Sequence, residues 1–316
     1  MVVLSIAQSI DTTTGLIGLY TFDTLPKAQR AIETLYDNSP YKNNLSGVLV
    51  TGFPIIVDSV FCPFYYDTTH KVSLKMLKYG GYGSRSSYSS STFKGFDTVG
   101  TSSFSISFWF LFTVEQDTLV NDTSTEALFE IVGSGSPSSS ILIGTHSVYN
   151  NPNRVIQVII GTPTGQVEDS VVMAKQSSSF LLHHFALTWD AVKDTGSLCV
   201  DNTYKPLLVL PPKTGELTVL LQYPQVFLGS ARDNFCYHGY FADVKIYNRA
   251  LTKQEVLSYL PSTHVIAKNG VAAFPVQQAR SAKAGTFDFL GREVKSKYIV
   301  NGSYIVGNHP LLLLNK

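Results

Sequence analysis

Ser103-Phe104-Ser105-Ile106-Ser107-Phe108-Trp109-Phe110 alternates small polar and large apolar side chains with a period of two. Successive side chains of a β-strand point to opposite faces, so the stretch reads as a strand over residues 104–113. Phe104, Ile106, Phe108 and Phe110 are expected to face a core, the serines to face solvent, and Trp109 to lie on the face away from that core. The same texture runs outward in both directions as short apolar or alternating runs between clusters of Gly, Pro, Ser and Asn. Further strands are expected at residues 16–22, 48–57, 72–76, 127–132, 141–144, 154–161 and 167–173. Others follow at 180–188, 197–201, 207–210, 216–221, 225–228 and 239–247. So many short strands at this spacing argue for an all-β sandwich or barrel rather than βαβ units.

Helix is scarce. Thr252 and Glu255 have capping-box spacing, Val256, Leu257 and Leu260 form an apolar stripe, and Pro261 ends it. A second short helix is expected from Pro26, including Ala31, Ile32 and Leu35. Residues 79–100 and 133–140 are rich in Gly and Ser and are expected to be surface loops.

The chain has 316 residues, of which 44% are hydrophobic and only 15% charged, against about 25% charged in ordinary soluble domains. Ser, Thr, Asn, Gly and Tyr fill the gap, which suits exposed β-structure. From Pro261 onward seven Lys/Arg stand against two acids, a formal +5, which leaves the first 260 residues at −4 in a chain of net +1. Residues 1–260 therefore read as one domain and 261–316 as a basic C-terminal extension able to dock on an acidic partner. Within it, Tyr298-Ile299-Val300 and Tyr304-Ile305-Val306 flank Asn301-Gly302-Ser303, a strong hairpin signal. No window approaches ~18 uninterrupted apolar residues, so no membrane span is expected. The first residues lack the basic and apolar regions of a secretory leader. Cys199 lies in an apolar run and reads as a buried thiol. The spacing of Cys62 and Cys236 leaves a disulfide between them open.

Four stretches in order resemble the laminin-G-like jelly rolls of the concanavalin A superfamily, from about residue 15 to 260. They are Gly18-Leu19-Tyr20-Thr21-Phe22-Asp23 with Asp37-Asn38-Ser39 and Asn43-Asn44, then Phe104–Phe110. The third is His183-His184-Phe185-Ala186-Leu187-Thr188-Trp189-Asp190, with Leu182 where the family usually carries Trp. The last is Val226-Phe227-Leu228-Gly229-Ser230 with 241–251. The resemblance implies a concanavalin A-like β-sandwich of two antiparallel sheets sharing one core. Asp243 is expected to be structural, with Arg249 as its partner.

Several residues are candidates for binding. Asp37, Asn43 and Asn44 offer the oxygen ligands that calcium takes, in the loop where many such relatives hold it. Asp233 and Asn234 are a second option. Tyr79, Tyr82, Arg85 and Tyr88 among glycines and serines, with Tyr237, His238 and Tyr240 as a second aromatic patch, suit either stacking on sugar rings or an adaptable protein contact. Arg85 and Lys94 are the only bases among the aromatics of residues 79–100, which argues against nucleic acid.

Catalysis finds little support. A retaining glycosidase needs two carboxylates on one face about 5 Å apart, yet Glu130 has no evenly spaced acidic partner and Glu168-Asp169 point to opposite faces. His183 and His184 are likewise adjacent on a strand and cannot chelate one metal together, so one buried and one exposed histidine is expected. The sequence thus points to a non-catalytic recognition or adhesion module of lectin-like type, whose ligand is expected to be a glycan or a protein surface. A structural role, as a coat, spike or fibre component assembling through residues 261–316, is the alternative. Either role favours an extracellular or particle surface.

Overall fold

The computed structural model describes residues 13–22, 33–51, 55–63, 71–79, 85–90, 92–96, 103–112, 126–133, 140–148, 151–162, 165–173, 181–193, 195–207, 221–222, 224–230, 237–260, 299–300, 303–306 and 309–312. The chain divides into two compact units, Met1–Leu260 and Pro261–Lys316.

The larger unit is an antiparallel β-sandwich. Its first sheet runs β14 (Thr203–Pro206), β13 (Thr195–Val200), β12 (His183–Asp190), β7 (Phe104–Phe112), β16 (Gly239–Tyr247), β5 (Lys71–Lys78) and β4 (Ile55–Pro63), with β1 (Leu16–Tyr20) also on β16. The second runs β11 (Gly165–Met173), β10 (Asn151–Thr162), β9 (Ser140–Val148), β8 (Glu126–Val132), β15 (Gln225–Leu228), β6 (Arg85–Ser90), β3 (Leu45–Thr51) and β2 (Thr34–Leu35).

β7 lies between β12 and β16, and its alternation sets the layers. Phe104, Ile106, Phe108 and Phe110 enter the core as expected, joined by Phe112. Phe108 stacks on Phe185 of β12 at 4.9 Å and meets Phe241 of β16 edge-on at 5.5 Å. Offset and edge-to-face pairs of this kind add about 0.5–1.5 kcal/mol beyond area burial. Phe129, Ile131, Ile143, Ile156 and Leu228 close the core from the second sheet.

Three expectations are corrected. Ser105 and Ser107 do not face water: they are 0% and 2% exposed, because residues 249–260 lie over the outer face of the first sheet. The strand expected at 48–57 is two strands in different sheets, β3 ending at Thr51 and β4 beginning at Ile55. Gly52 and Pro54 fall at that break, where neither suits a ladder interior. Residues 85–90, expected as loop, form β6, paired with both β3 and β15. Two-sided pairing outweighs the poor strand propensity of serine.

The capping box is present. Thr252 Oγ1 accepts from Glu255 N at 3.2 Å and Glu255 Oε2 accepts from Thr252 N at 2.7 Å, opening the helix Lys253–Ser258. The helix expected from Pro26 lies outside the described residues except at its end, where Leu35 belongs to the strand β2 and pairs with Leu45 instead; the strand expected at 216–221 lies largely outside the described residues. In the smaller unit Ile299↔Tyr304 and Val300↔Ser303 pair around Asn301-Gly302, and β18 (Ser303–Val306) continues into a third strand, His309–Leu312.

Candidate functional site

Asp37 sits in the loop after β2 and is 2% exposed. One oxygen accepts from Leu19 N at 2.8 Å and Ser39 N at 2.7 Å; the other accepts from Ser39 Oγ at 2.6 Å and Asn43 N at 2.7 Å. Asn43 extends the knot, donating to Ile17 O and Lys94 O and accepting from Lys94 N. Asn44 Oδ1 accepts from Asp37 N at 3.0 Å. Four donors converge on one carboxylate, so a cation there would have to displace bonds that already satisfy a buried charge. The geometry makes Asp37, Asn43 and Asn44 a lock that ties the β2–β3 loop to β1. Beside them Tyr20 donates to Asn43 O at 2.5 Å, and burial, with Asp37 next, pushes its phenol pKa well up. Asp233 and Asn234 lie outside the described residues.

Three of the aromatic candidates belong to the core. Tyr79, Tyr88 and Tyr237 are 1%, 0% and 0% exposed. Tyr79 donates to Leu228 O at 2.6 Å and Tyr237 to Leu111 O at 2.8 Å. The Tyr79 ring lies over Gly229, where φ is +76° and an added Cβ would stand 2.1 Å from Tyr79 Cζ, so glycine is required there. These rings cannot stack on a ligand; the Tyr79 and Tyr237 hydroxyls each find a carbonyl, which lets a polar ring fill an apolar core. Tyr82 lies outside the described residues. Arg85 opens β6 opposite Thr51. His238, half-buried, meets Glu126 through Nδ1 at 3.2 Å, and Tyr240 lies under Lys78 at 5.7 Å. Among the described residues, the sequence-derived candidates therefore do not come together as one site.

His183 and His184 are both buried, correcting the expectation of one exposed ring. His183 faces the core, stacked on Phe110, with Nδ1 2.8 Å from Asp201 Oδ2. His184 faces outward beneath residues 249–260, with Nε2 2.9 Å from Ser107 Oγ. Burial, with the Lys245 charge second, pulls its pKa down to about 3. Cys199, on the same covered face, has its thiol pushed up to about 12 by burial. The expected Asp243–Arg249 pair is replaced. Asp243, at φ +49° in the β16 bulge, pairs with Lys245, and Arg249 pairs with Glu255 at 2.6 Å.

The outer face of the second sheet was not evident from sequence. Register alignment runs one row across all eight strands: Thr34, Ser46, Ser89, Phe227, Glu130, Leu142, Ile159 and Glu168. The rows on either side of it (Tyr88, Leu228, Phe129, Ile143 and Val158 on one side; Leu35, Leu45, Val226, Ile131, Ile141 and Ile160 on the other) are core, so this one points away from it. Ser46 and Glu168 are exposed, Ser89, Phe227, Leu142 and Ile159 half-exposed, and Glu130 is buried in the middle. Gln157, one register along, donates to Glu168. Hydroxyls at one end, a ring and aliphatic side chains at the centre and carboxylates alongside give a surface that can pack a ring face and hydrogen-bond its substituents.

A family model described as the concanavalin A-like lectin/glucanases superfamily matches residues 84–257. No curated protein matches the sequence. Among solved structures, the binding domain of Paraclostridial Mosquitocidal Protein 1 is similar at 15% identity and a TM-score of 0.45, over 77% of this chain and 51% of that one. Tailspike protein 2 from Escherichia coli O157:H7 bacteriophage CAB120 is similar at 12% identity and a TM-score of 0.45, over 75% of this chain and 28% of that one. The CBM40 of Ruminococcus gnavus IT-sialidase is similar at 13% identity and a TM-score of 0.36, over 50% of this chain and 82% of that one. The chain thus spans about half the length of the first of these and less of the second.

Proposed function

This chain belongs to the concanavalin A-like lectin/glucanases superfamily, and from that premise we propose that it is a non-catalytic recognition module whose contact surface is the outer face of the second sheet. The observation that carries the reading is the row from Ser46 to Glu168. It sets Phe227, Leu142 and Ile159 beside hydroxyl and carboxylate acceptors, the pairing a glycan ring requires. The same row speaks against hydrolysis. Its carboxylates, Glu130 and Glu168, stand three strand spacings apart, with Leu142 and Ile159 between them. At about 4.8 Å per spacing that is roughly 14 Å, beyond the ~5–9.5 Å over which paired acids work on a glycosidic bond.

Binding to a glycan array tests it. Glycans retained by the native chain and lost on Phe227→Ala, with the fold intact by circular dichroism, support the assignment. Release of reducing sugar that Glu130→Gln abolishes would replace it with a glycosidase. Assembly is the second reading, favoured by the separate basic unit Pro261–Lys316. It predicts concentration-dependent oligomers that disappear when residues 261–316 are removed, with no glycan retained.

A further inference from the structure

We propose that His184 makes the strap over the first sheet, residues 249–260, releasable by mild acid. The strap is seated on polar groups. Ser105 Oγ donates to Arg249 O and accepts from Leu251 N, both at 2.9 Å, and Val256, Leu257, Tyr259 and Leu260 pack over Cys199, Ala186, Trp109 and Leu182. His184 lies beneath it at 0% exposure, its ring 4.7 Å from that of Trp109 and 6.0 Å from that of Tyr259. Nε2 bonds Ser107 Oγ, and Nδ1 has no hydrogen-bond partner among the described residues.

That asymmetry defines the device. With the proton on Nε2 the ring is neutral, donates to Ser107, and leaves only a bare lone pair buried at Nδ1. Protonation adds an N–H and a full charge at that atom, where nothing accepts it, and burying an unpaired charge is far costlier than burying a lone pair.

The charged groups around it do not relieve this. On β16, Lys245 adds like charge, with Asp243 committed to it, and the Tyr247 phenol is held neutral by burial. On the strap, Tyr259 is neutral for the same reason and meets Tyr247 at 2.5 Å; Glu255 is committed to Arg249, and Lys253 lies over Tyr204. Asp201, after β13, bonds His183 and the backbone N–H of His184. Cys199 of β13 is buried with its thiol protonated. The faces of Trp109 and Tyr259 offer an imidazolium some cation–π attraction, which offsets part of the cost only.

The proton is therefore taken up by the opened state, in which the ring meets water and titrates at its ordinary 6.5. A histidine whose pKa is depressed in the closed state stabilises that state fully above 6.5 and progressively less as pH falls from 6.5 towards 3. Opening is favoured up to tenfold per pH unit in that window, about a hundredfold at pH 4.5. Leu260 ends both the strap and the larger unit.

The chain has two tryptophans, Trp109 under the strap and Trp189 in the core. In a Trp189→Phe background, Trp109 emission should shift to the red between pH 6.5 and 4.5 while the far-ultraviolet β signal holds. His184→Gln, which keeps a donor for Ser107, should remove the shift. Hydrogen exchange of amides 252–260 in the unmodified chain, corrected for intrinsic rates, should accelerate by up to tenfold per unit over the same range and decides the matter if either variant fails to fold. Flat exchange from pH 6.5 to 4.5, an equal response in His184→Gln, or a His184 ring that titrates near 6.5 with the strap in place would each overturn the proposal.

Discussion

The two outer faces of this sandwich are built from similar side chains and end in opposite conditions. On the first sheet Ser105, Ser107, Trp109 and His184 are sealed beneath residues 249–260, the serines 0–2% exposed. On the second, Ser46 is exposed and Ser89 and Phe227 half-exposed. Alternation in a strand decides which face a residue joins but not what later covers that face. Here a segment some 140 residues downstream turns the polar face of β7 into a second interior, and its serines survive there because each finds a partner.

The largest expected effect tests that contrast. Trp109→Ala should cost about 3–5 kcal/mol in urea unfolding, as a buried aromatic does when it leaves a cavity. Phe227→Ala on the open face should cost about 1 kcal/mol while reducing ligand retention. Equal losses would mean that the second face is as covered as the first. A smaller effect isolates the strap. Thr252→Ala removes an N-cap and should cost about 1 kcal/mol. It should also speed alkylation of Cys199, whose thiol, held near 12 by burial, should otherwise be inert at pH 8. Unchanged alkylation would show that the strap does not guard that face.

Much of the fold was legible because burial imposes a period on each strand. Phe104, Ile106, Phe108 and Phe110 went to the core and Trp109 to the other side as the alternation requires, and the capping box of Thr252 and Glu255 is local chemistry. What was not legible depends on pairing between distant segments. Tyr79 and Tyr88 carry the composition of a contact loop. Only β6 pairing with β3 and β15, and the fit of Tyr79 over Gly229, turn them inward. Asp37 and Asn43 have the composition of a cation loop, but whether their oxygens are free depends on amides from residues 19 to 94. The row from Ser46 to Glu168 has no sequence signal, since each strand contributes one residue.

Glu255→Gln makes the smallest change and separates two acid effects on the strap. Burial alone would raise the Glu255 pKa, but its bonds to Arg249 and Thr252 outweigh that and hold it below the ordinary carboxylate value. Its contribution is therefore present above about 4.5 and lost as pH falls through the lowered value, the reverse window from that of His184. Both partners remain partly in water, so the ion pair contributes under about 1 kcal/mol. Gln retains the acceptor for Thr252 N, so Glu255→Gln should lower stability by about 0.5 kcal/mol at pH 7 and leave the response from pH 6.5 to 4.5 intact. Below 4.5 the stability of the native chain and of the variant should converge, because protonation has then removed the same charge. A variant that also lost the response above 4.5 would place the acid sensitivity of the strap on this ion pair rather than on the buried imidazole.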